Sequence, residues 1–133
     1  MRIIGGIFKG KKLHLPINKN TRPLKDLVKE SIFNLIQHSK KINIEIKNSM
    51  ILDLFSGSGS FGIECLSRGA KKVIFLENYS EAIKVLKKNI KSLKNIKNFE
   101  IIENDCFNYF NSDQKINPKF DIIFIDPPYK EIN

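Results

Sequence analysis

From Met50 onward the chain alternates short apolar runs with helix-patterned stretches at close spacing, and this restricts the fold more than any other feature. MILDLF has the length and composition of a buried strand, SGSGSFG is a glycine-rich loop, and GIECLSRG is a helical segment closed by Gly69. KVIFLE is a second strand. In EAIKVLKKNIKSLKN, residues Ile83, Leu86, Ile90 and Leu93 form a buried stripe, and lysines 84, 87, 88, 91 and 94 form a solvated face. FEIIEN is a third strand, CFNYFNS a short helix and FDIIFID a fourth strand. Strands that alternate with helices over short links must run parallel, joined by right-handed crossovers. The fold class is therefore α/β, a doubly wound sheet, with an expected strand order of 3-2-1-4.

The segment before Met50 has a different character. Ile3, Ile4, Ile7, Phe8 and Leu13 alternate loosely among Gly5, Gly6, Gly10 and lysines, which predicts a short β-hairpin with glycine turns. TRPLKDLVKESIFNLIQ then places Leu24, Leu27, Val28, Ile32, Leu35 and Ile36 at helical spacing, with Pro23 suited to a first helical position. The alternation of Ile42, Ile44 and Ile46 is compatible with a small strand. The expected organisation is a basic extension over residues 1–40 and an α/β domain over residues 50–133.

Charge separates these parts further. The formal net charge is +9, and residues 1–25 hold Arg2, Lys9, Lys11, Lys12, Lys19, Arg22 and Lys25 with no acidic residue. A cluster of this kind suits a phosphate backbone, although basic clusters are also common as plain solvated surface. Hydrophobic content of 41% with 28% charged residues is the balance of a globular chain. No apolar run approaches the roughly 18 residues needed to cross a bilayer, and MRIIGGIFKG lacks the apolar core of a secretory signal. The expected location is cytoplasmic, with no membrane contact. Cys65 and Cys106 lie far apart, and with only His14 and His38 besides there is no metal-ligand spacing; no metal is expected.

Two motifs carry chemistry. DLFSGSGSFGIE sets Asp53 at a strand end and Gly57, Gly59 and Gly62 in a G-x-G-x-x-G spacing that opens a helix. That spacing lets backbone approach a ligand at the helix start. It fits dinucleotides and other adenosine cofactors alike. Glu77 ends the second strand, where a carboxylate can accept from ribose hydroxyls, and Asp105 follows the third, within reach of an exocyclic adenine amine. The other motif is Asp126-Pro127-Pro128-Tyr129, at the end of the fourth strand. A nucleobase amine is a poor nucleophile because its lone pair is delocalised. Asp126 and the Pro127 carbonyl can accept its two N–H bonds and turn the lone pair toward a methyl donor, with Tyr129 stacked on the base. The bland alternative is a strand-ending turn.

On MRIIGGIFKGKKL, TRPLKDLVKESIFNLI, DLFSGSGSFGIECLSRGA and FIDPPY, nearly the whole chain resembles the RsmD-type bacterial 16S ribosomal RNA guanine-N2 methyltransferases. The resemblance implies a Rossmann-like methyltransferase fold that uses S-adenosyl-L-methionine. It implies 16S rRNA as substrate, within an assembling small ribosomal subunit, with N2 of guanine 966 as the acceptor. It would place Gly57, Gly59 and Gly62 around the methionine end of the cofactor, Asp53 near its amino group, Glu77 on the ribose, and Asp105 with the Cys106 backbone on the adenine. Asp126, Pro127 and Tyr129 would position the guanine, and Arg2, Lys9, Lys11, Lys12 and Arg22 would meet RNA. Leu24 and Leu27 depart from the family helix, which carries Thr and a basic residue there. Family members also continue past the DPP motif. This predicts an incomplete domain whose fourth strand is an edge open to self-association. The alternative activities are DNA adenine-N6 methylation and a non-catalytic RNA-binding remnant; a nicotinamide oxidoreductase would leave DPPY unexplained.

Overall fold

The computed structural model describes residues 1–15, 26–111 and 119–127. After the N-terminal arm comes α1 (Asp26–His38), then β1 (Met50–Asp53), α2 (Ser60–Ser67), β2 (Lys72–Glu77), α3 (Ser80–Lys91), β3 (Phe99–Glu103), α4 (Cys106–Phe110) and β4 (Ile122–Phe124). The four strands form one parallel sheet in the order β3-β2-β1-β4. Its register aligns Asp53 with Phe75 of β2 on one side and with Phe124 of β4 on the other. The architecture is α/β and Rossmann-like, as the alternation requires. β4 is an edge of the sheet among the described residues, and Ile123 on it is half exposed.

Strand side chains alternate between two apolar layers. Ile51, Val73 and Phe75 face one layer, where α2 contributes Phe61, Ile63 and Leu66 and α3 contributes Leu86 and Ile90. The predicted α3 stripe is thus the buried one, and its five lysines are exposed. Leu52, Ile74 and Leu76 face the other layer, which is thinner and closed by Tyr109 of α4 together with Phe55, Ile102 and Phe120.

The arm is pinned to the first layer. A single antiparallel bridge joins Arg2 and Lys12, and Gly6 and Gly10 take positive φ at the turns. The predicted hairpin is therefore one bridge rather than two strands. Three of its amides bond to α2: the Ile4 and Gly5 amides donate to Glu64 at 2.9 and 2.9 Å, and the Ile7 amide donates to the Ser67 carbonyl at 2.9 Å. Ile3 and Leu13 enter the same core layer as Phe61. The stretch from Ile42 to Ile46 forms no strand, and no described strand pairs with its backbone.

α1 forms where the helical spacing predicts a helix, over Asp26–His38, but its apolar residues are not all buried. Leu24 lies outside the described residues, and Leu27 (76% exposed), Val28 and Leu35 (59%) point away from the core. The residues fully buried are Lys29 and Phe33. Phe33 stacks on Phe61, which stacks in turn on Phe124 of β4 at 3.9 Å between ring centroids. Lys29 meets Glu64 of α2 at 3.4 Å with both side chains wholly buried. A buried acid on α2 supplies what a lysine needs, so the helix turns its Lys29–Phe33 line inward and leaves part of its leucine face outside.

Candidate active site

The carboxyl ends of β1, β2, β3 and β4 share one edge of the sheet, and the residues singled out in the sequence gather there. β1 ends on Asp53, which is fully buried. One carboxylate oxygen, Oδ2, accepts the Gly62 amide at 3.2 Å; the other, Oδ1, is buried with no hydrogen-bond partner among the described residues. Burial raises the Asp53 pKa to about 7, the charges of Glu77 and Asp126 push in the same direction, and the Gly62 N–H opposes them. An orphaned carboxylate oxygen ringed by other acids is a strong attractor for a cationic donor such as an ammonium group.

The glycine loop is held open by specific backbone demands. Gly57 and Gly59 have φ of 56° and 89°, and Gly59 caps the start of α2 in the left-handed region. Gly62 plays a different part: a Cβ there would come within 2.3 Å of the Phe75 ring, so this glycine lets α2 lie directly on β2. Glu77, at the end of β2, reaches back to accept the Gly57 amide at 2.7 Å through Oε1, and its Oε2 accepts the Asn78 and Tyr79 amides. The loop and the second strand end are thus one hydrogen-bonded unit.

A cleft of about 230 Å³ opens beside that unit, lined by Leu54, Phe55, Glu77, Asn78, Asn104, Asp105, Cys106 and Phe107. Glu77, Asp105 and Cys106 are brought together there. Asp105 caps α4: its Oδ1 accepts the Asn108 amide at 2.7 Å and its Oδ2 the Asn108 side chain at 2.8 Å, so each oxygen keeps one further lone pair for a ligand. Phe55 and Phe107 were not singled out in the sequence reading. Phe107 is 75% exposed on the cleft, and the signal available for it was an aromatic residue directly after the acid and cysteine that follow β3. An apolar wall with carboxylates at its rim suits a purine nucleoside.

Asp126 follows β4 and contributes its charge to the raised pKa of Asp53, so the two acids share one electrostatic environment. The neighbouring strands bring this about: Phe124 pairs with Asp53, and the Leu54 amide donates to the Phe124 carbonyl at 3.0 Å. Pro127 is exposed beside Asp126. Tyr129 and Arg22 lie outside the described residues. Arg2, Lys9 and Lys12 are exposed on the arm and Lys11 is half-buried; none of the four lines the cleft. Among the described residues no helix is long and apolar enough to cross a membrane.

S-Adenosylmethionine presents an ammonium group, ribose hydroxyls and an adenine. The orphaned Asp53 oxygen, Glu77 at a strand end, and the cleft of Phe55, Asp105 and Phe107 are the groups that could hold those three parts.

The chain is 41% identical over 131 residues to "Putative rRNA methyltransferase YlbH" of Bacillus subtilis (strain 168), covering 98% of this chain and 68% of that protein. It is 40% identical over 130 residues to "Ribosomal RNA small subunit methyltransferase D" of Haemophilus influenzae, covering 97% of this chain and 64% of the relative. Among solved structures, "Putative methyltransferase yhhF from Escherichia coli" superposes with a TM-score of 0.78 at 33% identity, over 98% of this chain and 65% of that one. The chain thus spans about two thirds of the length of these relatives. A family model described as "Conserved hypothetical protein 95" matches residues 1–133, and with these relatives it establishes that the chain belongs to that family, the RsmD family.

Proposed function

We propose that the chain carries the cofactor and acceptor sites of an S-adenosylmethionine-dependent rRNA methyltransferase, and that the acceptor is the exocyclic N2 amine of a guanine in 16S rRNA, guanine 966 by family resemblance. The observation that supports this reading is the β1–β4 register, which pairs Asp53 with Phe124, two residues before Asp126, whose charge acts on Asp53. When bound, S-adenosylmethionine supplies an electrophilic methyl group on a sulfonium. The residues of this chain do the rest. Asp53 holds the ammonium end, Glu77 the ribose, and the Asp105–Phe107 wall the adenine. Asp126 and the Pro127 carbonyl accept the two N–H bonds of the amine, which turns its lone pair toward the methyl donor. Asp126 also balances the positive charge that develops on nitrogen. Proximity and orientation supply most of the acceleration.

Exposed Arg2, Lys9 and Lys12 and half-buried Lys11 on the arm support an RNA substrate, presented within an assembling small ribosomal subunit. The domain assignment, a basic extension over 1–40 and a methyltransferase domain over 50–133, is part of the same reading, as is a cytoplasmic location.

The test supplies labelled S-adenosylmethionine with 16S RNA, assembled small subunits and duplex DNA in parallel. Label in N2-methylguanine is expected. Label in N6-methyladenine would replace the acceptor, and cofactor binding without transfer would favour an RNA-binding remnant. In a chain that transfers methyl groups, Asp126→Ala should lower turnover by on the order of 10²–10³-fold and leave cofactor affinity nearly unchanged. A large loss of cofactor affinity would contradict the role given to Asp126.

A further inference from the structure

Asn89 sits on α3 between Leu86 and Ile90, in the middle of the helix's apolar stripe, and is fully buried. A buried carboxamide is costly unless its hydrogen bonds are made, and here both of its donors and one lone pair of its oxygen are used. Its Oδ1 accepts the His14 amide at 2.8 Å, and its Nδ2 donates to the His14 carbonyl at 3.1 Å and to the Ser58 carbonyl at 2.9 Å. Two carbonyls and one amide fix which end of the side chain points where. His14 belongs to the basic arm, and Ser58 lies between Gly57 and Gly59 of the loop. One side chain therefore clamps both main-chain groups of an arm residue and one carbonyl of the glycine loop.

The arm has a second fastening, but to a different place. Glu64, Ser67 and Lys29 hold residues 2–8 onto the body of α2 and its first residue, Ser60. Among the described residues, the tie at Asn89 is the one that joins the arm to Ser58, the residue flanked by the two positive-φ glycines of the loop.

We propose that Asn89 is a positioning residue that couples the two substrates: binding of S-adenosylmethionine fixes the glycine loop, Asn89 passes that constraint to His14, and the basic arm is thereby set for RNA. Linkage makes the effect reciprocal, so RNA on the arm tightens cofactor binding by the same factor. The proposal rests on the reading of the loop as a cofactor site and of the arm as an RNA contact, and adds to it a dependence of one on the other.

The experiment measures the dissociation constant of S-adenosylhomocysteine for the full chain with and without 16S RNA, together with hydrogen exchange of the His14 amide. The ratio of the two constants in the unaltered chain is expected to be on the order of five-fold or more, and to fall to one in Asn89→Ala. A purely structural asparagine would weaken binding equally in both conditions and leave the ratio where it was, which would overturn the assignment. A ratio of one in the unaltered chain would overturn the coupling while leaving the methyltransferase reading intact. No binding of S-adenosylhomocysteine at all would overturn both. Should Asn89→Ala fail to fold, the unaltered chain still decides. Slower His14 exchange on adding S-adenosylhomocysteine is the expected result, and unchanged exchange in the presence of bound S-adenosylhomocysteine counts against the proposal.

Discussion

At Asp53 the chain keeps a carboxyl group where burial disfavours its charge, and the consequence can be measured as a pH dependence. An acid with a folded pKa of about 7 and an ordinary value of 3.8 keeps its proton in the native state after the unfolded chain has lost it. Its contribution to stability is therefore fully present below about pH 4 and is lost as pH rises toward 7. For a shift of this size the loss is on the order of 3 to 4 kcal/mol at full burial. Asp53→Asn should remove that decline, so denaturant melts of the two chains should diverge between pH 4 and pH 7, with the variant the more stable at neutrality. Identical pH profiles would mean that the Asp53 carboxyl group is solvated in solution. Position and chemistry differ in how far the sequence reveals them. The strand end at Asp53 could be read from MILDLF before a glycine loop. That one of its oxygens lacks a partner depends on Gly62, Glu77 and Asp126, which reach it only through the fold.

Among the elements, α3 and α1 show where periodicity works and where it fails. In α3 the apolar residues outline the buried stripe because the helix packs on an apolar layer, and Ile83, Leu86, Ile90 and Leu93 are all inside. In α1 the burial of Lys29 is decided by Glu64, 35 positions further along the chain, and no local pattern contains that information. The Lys29 pKa is lowered, chiefly by burial, with Glu64 acting against the shift. Arg68 adds a contact to Glu64 at 2.8 Å and also lies over the Phe33 ring at 4.5 Å. Glu64→Leu would strand the Lys29 ammonium and leave the Ile4 and Gly5 amides without their acceptor. Losing one partner of a buried pair typically costs 3–5 kcal/mol. A thermal or denaturant melt should show a loss of about that size. A change below 1 kcal/mol would show that water reaches the cluster and takes over those bonds. The four strands, the glycine loop and α1 as a helix are legible because their signals are local; which face of α1 is buried is not, because Glu64 decides it.

Over the whole molecule, charge and topology divide the labour. The arm lysines Lys9, Lys11 and Lys12 do not line the cleft that Glu77 and Asp105 border. If these lysines meet phosphates, replacing Lys9, Lys11 and Lys12 together with Gln should weaken RNA binding uniformly across sequences. It should also reduce the slope of log affinity against log salt by roughly 2, given about 0.7 per phosphate contact on single strands. An unchanged slope would move the RNA interface off the arm. The stack of Phe33, Phe61 and Phe124 bears on the order in which this molecule is assembled. Phe61 of α2 is sandwiched between a helix that precedes it and a strand more than sixty residues after it, and β4 has only three residues of ladder to hold it. Contacts closed over such a span are slow to form, because loop closure must come before any gain. β4 is thus expected to dock late, after the other three strands and their helices. Phe124→Leu should then speed unfolding and hardly alter the folding rate, whereas Phe61→Leu should slow folding. Stopped-flow measurements on the two variants would reveal the sequence of events, and equal slowing by both would mean that the strand leading into Asp126 is already in place at the rate-limiting step.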